Sequence, residues 1–281
     1  MKQDGSFARE GYLKENYHYF HLRDTAGQER DFHFHDFDKI VLLLAGRVDY
    51  SVESATYALK PWDVLLVKHH TIHKALIDKS EPYERVILYL DRRFFERTMP
   101  GTGLMDCFEH ADQSGQYLLT PDAEQRQILQ AALATFEVAM ADTGHGAQTL
   151  RDTCLIQLMV HINRLSLSDA AAAERPETPH DAKIAQVLSY INENLTKELT
   201  VDVLAEQVFL SRYHFMRLFK AQTGTTVHAY VRQKRLLYAA RLIREGHPAV
   251  QAAVESGFSD YSAFHRAFRE SFGISPGQLK K

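Results

Sequence analysis

Two segments near the end of the chain share one pattern, and this pattern strongly restricts how the sequence can fold. Residues 210–224 read LSRYHFMRLFKAQTG, and residues 259–273 read SDYSAFHRAFRESFG. Each segment begins with side chains that favour a helix N-cap, continues with phenylalanines on one helical face, and ends at a glycine. An Arg-x-Phe-basic motif stands at the same place in both segments. The repetition predicts two related amphipathic helices.

A shorter apolar segment and a turn precede each of these helices, which is the order of a helix-turn-helix unit. In the first unit Leu204 and Ala205 lie in the leading helix, Phe209 and Leu210 form the turn, and Ser211 is the expected N-cap. The phenylalanines would face the core and leave a polar face exposed. We expect DNA contacts from Tyr213, Met216, Arg217 and Lys220 in the first unit, and from Tyr261, Ser262, His265, Arg266 and Arg269 in the second.

An ordinary solvated helix surface is the alternative interpretation of these two faces. The charge distribution favours DNA, because residues 183–281 contain 14 Lys and Arg against 8 Asp and Glu, a net charge of +6. The whole chain carries −3, so residues 1–182 carry −9. A basic half next to an acidic half is typical of a protein that binds a polyanion with one domain.

The same residues resemble the C-terminal signature of the AraC/XylS family of transcription regulators. The matching positions are Leu204, Ala205, Ser211, Phe215, Arg217, Phe219, Lys220, Gly224, Arg235, Ala239, Gly257, Phe258, Asp260, Ser262, Phe264, Arg266, Phe268, Arg269, Gly273, Ser275 and Pro276. The resemblance implies an activator or repressor of transcription that binds double-stranded DNA, with RNA polymerase as a further partner. It also implies that a long helix over residues 227–244 presents both recognition helices to successive major grooves.

The first hundred residues instead alternate short β-rich runs with turn signals, which predicts an antiparallel sandwich or barrel. The predicted strands cover residues 40–45, 48–52, 57–59, 64–67 and 85–90. Apolar residues then change to helical spacing over 122–140 and 148–165, which predicts a helical hairpin. We therefore expect a two-domain α+β fold with an antiparallel β-barrel over 1–120, a hairpin over 121–166, a linker over 167–182 and an all-α double helix-turn-helix domain over 183–281.

Histidines in the β-rich part resemble the two cupin motifs. The first motif matches His33, His35, Lys39 and Gly46, and the second falls on Trp62, Lys68, His70 and His73. The resemblance implies that the barrel over 1–120 is a cupin-like sensor barrel that binds an effector, with a small molecule such as a carbohydrate as the effector. We expect His33, His35, Lys39, Trp62 and His73 to bind it, while a metal site or purely structural histidines remain alternatives.

A metal-dependent cupin enzyme, such as a sugar isomerase or dioxygenase, is the alternative function. Lys39 replaces the glutamate that would bind the metal, and a cation there opposes a metal cation. We therefore expect no enzyme, no catalytic residues, no cofactor and no metal, although His33, His35 and His73 are the candidates if a metal binds. No signal peptide or membrane-spanning run is recognisable, so a cytoplasmic protein is expected.

The hairpin over residues 121–166 is expected to mediate a homodimer, because its apolar stripes cannot all face one small barrel and leave surface to bury elsewhere. Leu155 and Leu158 are the positions expected at that interface. The two cysteines, Cys107 and Cys154, provide neither a disulfide framework nor a zinc site, so packing is their expected role.

Overall fold

The computed structural model describes residues 8–9, 13, 15–24, 32–53, 55–69, 71–78, 80–168, 178–179 and 182–279. The predicted two-domain α+β architecture is confirmed. A β-rich half and its helical hairpin share one hydrophobic core, and the C-terminal helices form a second core.

Within the described residues, eleven strands form two sheets. They are β1 (Ala8–Arg9), β2 (Tyr17–Asp24), β3 (His33–Phe34), β4 (Asp38–Ala45), β5 (Val48–Val52), β6 (Ala55–Leu59), β7 (Val64–Val67), β8 (His73–Ile77), β9 (Tyr83–Leu90), β10 (Leu118–Leu119) and β11 (Thr178–Pro179). One sheet has the order β1-β3-β8-β5-β6-β11, and the other has the order β10-β7-β4-β9-β2. All neighbours pair antiparallel except β1 and β3. We call the N-terminal part of the chain, up to residue 168, the sensor half, after the role expected for it. The sensor half is thus a two-sheet structure with a shared core.

The sequence pattern explains which strands are central. Six of the eight residues of β4 are buried, which fits its place between β7 and β9 and its near-continuous apolar sequence. Strand β5 alternates instead and buries Val48, Tyr50 and Val52. Gly46 ends β4 at a φ of +91°, and a Cβ there would lie 2.5 Å from the Pro82 carbonyl oxygen. Only glycine fits that close approach.

Four helices follow the sheets: α1 (Arg92–Thr98), α2 (Asp106–Ser114), α3 (Ala123–Ala141) and α4 (Ala147–Ser166). The last two confirm the predicted hairpin, whereas α1 and α2 were not predicted because short helices show little periodicity. Asn163 of α4 fixes α2, since its Oδ1 accepts a hydrogen bond from the Cys107 amide at 2.9 Å and its Nδ2 donates to the Leu104 carbonyl at 2.8 Å. Cys107 and Cys154 are buried free thiols.

The expected interface positions on the hairpin require a correction. Leu155 and Leu158 are 0% and 3% exposed and belong to the core shared with the sheets, because both helices pack on that core. The apolar side chains that the hairpin leaves at the surface are others: Ile128, Val138 and Leu150.

The C-terminal half consists of α5 (Ala182–Glu193), α6 (Val201–Glu206), α7 (Arg212–Thr223), α8 (Val227–Arg244), α9 (Ala249–Glu255), α10 (Tyr261–Phe272) and a 3₁₀ turn at Pro276–Gln278. The long helix expected over residues 227–244 is α8, and α7 begins directly after the expected N-cap Ser211 and ends before Gly224. Arg235 has a structural role: its Nε donates to the Leu195 carbonyl at 2.9 Å and its Nη2 to the Lys197 carbonyl at 2.6 Å.

Most of the predicted linker, namely residues 169–177 and 180–181, lies outside the described residues. Thr178–Pro179 pairs with Ala55–Thr56 of β6, so this part of the segment joins the sensor sheet. None of the described helices is long and apolar enough to cross a membrane.

Candidate functional site

The first candidate surface is the outer face of α7. The Ser211 hydroxyl accepts a hydrogen bond from the His214 amide, and Gly224 ends the helix at a φ of +72°. Phe215 and Phe219 are fully buried, which turns the opposite side of the helix outward. Replacing such a phenylalanine by alanine typically costs about 3–5 kcal/mol, so these aromatics fix the orientation of the helix. The predicted contact residues Tyr213, Met216, Arg217 and Lys220 are all exposed.

Helix α10 repeats this construction. The Asp260 carboxylate accepts a hydrogen bond from the Ser262 amide at 2.8 Å, and Gly273 ends the helix at a φ of +73°. Phe264 and Phe268 are fully buried, as their counterparts in α7 are. Of the predicted contact residues, Tyr261, Ser262, Arg266 and Arg269 are exposed and His265 is half-buried.

The basic side chains on these two faces are available to a partner. Within the described residues, Arg217, Lys220, Arg266 and Arg269 form no ion pair, whereas Arg212 at the start of α7 pairs with Asp202 at 3.0 Å. Guanidinium groups that are exposed and unpaired can bind guanine edges bidentately or neutralise phosphates. The geometry therefore suits a groove of duplex DNA.

The second candidate site lies between the two sheets of the sensor half. His33 of β3 pairs in register with His73 of β8, and their rings lie 4.3 Å apart between centroids. His35 follows β3, with its ring 4.8 Å from that of His73. Lys39, from β4 of the other sheet, is 6% exposed, and its Nζ donates to the Tyr50 hydroxyl at 3.3 Å. We call His33, His35, Lys39 and His73 the histidine cluster.

Hydrogen bonds fix the tautomers of two rings in the histidine cluster. His35 Nδ1 lies 2.7 Å from the Phe37 carbonyl oxygen, and His73 Nδ1 lies 3.0 Å from the Thr71 carbonyl oxygen. A carbonyl only accepts, so each Nδ1 carries the proton and each Nε2 presents a lone pair. Neither Nε2 atom has a hydrogen-bond partner among the described residues.

Burial, and next the charge of Lys39, hold the pKa values of His35 and His73 well below the usual 6.5. Both rings are therefore neutral near pH 7, and each Nε2 can accept a hydrogen bond. Lys39 supplies a positive charge beside them. Such a set of groups can bind the hydroxyl groups of a small polar molecule.

The backbone of Trp62, the fifth predicted ligand residue, lies apart from the histidine cluster. Its amide donates to the Leu43 carbonyl, four residues along β4 from Lys39. At 3.3 Å per residue this is about 13 Å, so Trp62 lies toward the other end of the strand. His70 lies outside the described residues. Sequence reasoning missed Tyr50, although the alternation in β5 could have placed its side chain inward.

The donor set does not fit a resident metal. Cupin metal sites use a carboxylate where this chain has the cation of Lys39, which contributes to the lowered pKa values of His35 and His73. Among the described residues no group of three or more His, Cys, Asp or Glu side chains is arranged to hold a metal ion.

Comparisons with known proteins give matches for both halves of the chain. A helix-turn-helix domain model matches residues 204–281, and an AraC-like ligand binding domain model matches residues 16–159. The probable transcriptional regulator LumQ of Photobacterium leiognathi is 29% identical over 256 residues, covering 90% of this chain and 93% of LumQ. The HTH-type transcriptional activator RhaS of Salmonella arizonae is 26% identical over 253 residues, covering 89% of this chain and 87% of RhaS.

Similar solved structures include the DNA-binding domain of AdpA in complex with a target DNA. It is 29% identical, with a TM-score of 0.34, and the match covers 35% of this chain and 89% of that one. An AraC-type transcriptional regulator from Chromobacterium violaceum is 30% identical, with a TM-score of 0.34 and coverage of 35% and 89%.

Proposed function

Since the chain belongs to the AraC family of DNA-binding transcription regulators with a ligand-binding domain, we propose that it reads DNA with the exposed faces of α7 and α10. We further propose that a small polar effector, bound at the histidine cluster, controls this binding. The proposal assigns phosphate contacts to Lys220 and Arg269. It assigns base contacts to the other predicted residues of both helices: Tyr213, Met216, Arg217, Tyr261, Ser262, His265 and Arg266.

The repeated construction of α7 and α10 is the observation that carries the DNA-binding assignment. Two helices bury phenylalanines at equivalent positions and expose an arginine at equivalent positions, Arg217 and Arg266. Two recognition helices with the same orientation relative to their own cores can enter successive major grooves about one helical turn, about 34 Å, apart.

The effector assignment depends on the Nε2 atoms of His35 and His73, which have no hydrogen-bond partner in the part of the chain that the structure describes. Buried polar atoms normally have a hydrogen-bond partner, and a ligand hydroxyl would supply one to each ring. A carbohydrate or another polyhydroxylated metabolite fits this requirement. Its predicted contacts are the four residues of the histidine cluster.

Selection of DNA from a random library by the full-length protein tests the proposed function. We expect one enriched sequence with two half-sites, bound with an affinity that falls steeply as salt rises, because basic side chains displace condensed counterions. Alanine at both Arg217 and Arg266 should abolish the enrichment. Equal binding to all sequences, or binding that does not depend on salt, would contradict the proposal.

Thermal stability in the presence of a panel of sugars, sugar acids and polyols tests the effector assignment. A compound that raises the melting temperature of the wild type should lose this effect in His35→Asn and His73→Asn variants. Stabilisation that persists in both variants would place the effector elsewhere.

Several finer properties belong to the same proposal. We propose a cytoplasmic, non-enzymatic regulator that acts as a homodimer through the hairpin of α3 and α4 and contacts RNA polymerase at its promoters. The curated relatives it matches are transcription regulators, and one of them is an activator. The exposed apolar residues Ile128, Val138 and Leu150 support a partner for the hairpin.

A further inference from the structure

The sensor half and the DNA-binding half meet at a buried carboxylate. Glu53 is 7% exposed and lies in the two-residue connection between β5 and β6. Its Oε2 accepts a hydrogen bond from the Tyr230 hydroxyl at 2.9 Å, and its Oε1 accepts one from the Lys234 ammonium group at 3.0 Å. Both donors lie on α8, the helix that joins the two helix-turn-helix units. One sensor residue therefore ties that helix to the sensor sheet with a charge-assisted pair of bonds.

The backbone around Glu53 is unusual. Its φ is +50°, in a hairpin connection where glycine, asparagine or aspartate is common. Its amide donates to the Ile72 carbonyl at 2.9 Å, and its Oε1 also accepts from the Ile72 amide at 3.0 Å. A glutamate kept in this disfavoured conformation indicates that the carboxylate is needed at this place.

Glu53 is also adjacent to the histidine cluster. Ile72 directly precedes His73, and Val52, which directly precedes Glu53, pairs in register with His73. Ligand binding that moves His73 would therefore also move Glu53. The movement would pass either through Ile72, which is hydrogen-bonded to Glu53, or through Val52, which is paired with His73.

The segment from Phe32 to His35 makes a second connection, because side chains along a strand alternate between its two faces. His33 and His35 belong to the histidine cluster, whereas Phe34 is fully buried in the core of the DNA-binding half, with its ring 6.2 Å from that of Phe272 at the end of α10. Phe32 lies against the end of α7, since a Cβ on Gly224 would come within 3.0 Å of its ring. The sensor half therefore contacts α7, α8 and α10.

We infer that Glu53 is a positioning residue for DNA recognition, which holds α8 on the sensor sheet so that both recognition helices keep the relative placement that one DNA site requires. The inference rests on the proposed function, because it assumes that α7 and α10 bind the same duplex. The contact leaves both recognition faces uncovered, since the outer faces of α7 and α10 stay exposed while Glu53 is bonded. Loss of the contact would reduce preorganisation and so weaken binding that needs both units.

The test compares Glu53→Gln with Glu245→Gln in the full-length protein. Glu245 lies at the end of α8, is 52% exposed and pairs only loosely with Arg241 at 3.6 Å, so it offers the same chemical change away from the sensor half. The probes are the DNA sequence selected by the wild type and the same DNA with one half-site scrambled. A purely structural defect would weaken both probes equally, whereas a positioning role predicts a change in their ratio.

We expect Glu53→Gln to weaken binding to the complete site by about tenfold and to the scrambled site by less than about twofold, while Glu245→Gln changes neither. Tyr230→Phe removes only a hydroxyl and should shift the same ratio in the same direction, which covers the case that Glu53→Gln does not fold. The double variant should show less than the sum of the two effects, because both changes remove one contact.

The inference would be overturned if Glu53→Gln and Glu245→Gln showed the same ratio of affinities for the two DNA probes, or if Glu53→Gln and Tyr230→Phe bound the complete site more tightly than the wild type. Either result would leave the proposed function intact. Failure of the wild type to select any sequence would instead overturn the proposed function, and this inference with it.

Discussion

The rings of His35 and His73 meet edge to face with their centroids 4.8 Å apart, and each donates its Nδ1–H to a backbone carbonyl of its own segment. Both Nε2 atoms consequently keep a lone pair in the interior, without a partner among the described residues. This relationship makes the histidine cluster sensitive to protons, because protonating either ring would place a second positive charge near Lys39.

Acidification should therefore destabilise the folded protein. The pKa values of His35 and His73 are held well below 6.5 by burial and then by Lys39, so below pH 6.5 the unfolded chain binds protons that the folded chain does not. Stability contributed by the neutral rings is complete above pH 6.5 and is lost as the pH falls from there toward the folded pKa values. Each ring contributes a slope of at most about 1.4 kcal/mol per pH unit.

Urea unfolding at pH 7.5 and pH 5.5 measures this effect. The variant His35→Asn/His73→Asn retains an amide donor near each Nδ1 position and should lose most of the difference between the two pH values. His145→Asn, at an exposed position, is the matched control and should behave as the wild type. An unchanged pH dependence in the double variant would show that other groups are responsible.

Lys39→Glu should make the histidine cluster a better binding site for transition metal ions. The wild type is expected to purify without stoichiometric transition metal, because Lys39 places a cation beside the three rings. A carboxylate at that position would restore the cupin ligand set and should raise affinity for Mn²⁺ or Zn²⁺. Elemental analysis of both proteins, with Lys39→Met as a neutral control, measures the outcome. About one metal ion per chain in the wild type would contradict the expectation.

Arg217→Ala and Arg266→Ala should each weaken specific DNA binding by about 1–3 kcal/mol without loss of stability, since both side chains are exposed and form no ion pair with any residue that the structure describes. Binding titrations with the selected site and with random DNA measure the effect, and thermal melting checks the fold. Arg126→Ala, on an exposed position of α3, removes the same charge from the sensor half and should change neither affinity. An equal loss on random DNA would mean that the arginines contact only phosphates.

Dimerisation through the hairpin should depend on Val138 rather than on the buried Leu155 and Leu158. Val138 is 73% exposed, so Val138→Glu should shift the protein from dimer to monomer with little change in melting temperature. Gln130→Glu adds the same charge at an exposed polar position of α3 and is the control. Light scattering at micromolar protein concentration measures the oligomeric state. A monomeric wild type, or a Val138→Glu variant that remains dimeric, would show that the hairpin does not mediate dimerisation at this position.

Local sequence signals were sufficient to predict the two recognition helices of the DNA-binding half. The caps at Ser211 and Asp260, the buried phenylalanines and the closing glycines act within one or two helical turns, so they define α7 and α10 without reference to the rest of the chain. The alternation of side chains along His33, Phe34 and His35 is likewise a local feature, and it puts the two histidines on one face and Phe34 on the other. Helices α1 and α2 were not predicted, because seven and nine residues contain too few helical turns to show a periodic spacing of apolar side chains.

Only the tertiary structure decided the relations between distant segments. The pairing of β3 with β8 brings His73 to His33, and β4 adds Lys39 from the other sheet, while Trp62 stays beside Leu43 despite its match to the cupin motif. The bond between Glu53 and Tyr230 joins residues separated by 177 positions, and no local pattern marks either as a partner. Spacing along the chain determines local dihedrals and faces, whereas strand order and domain docking depend on the free energy of burying whole surfaces together.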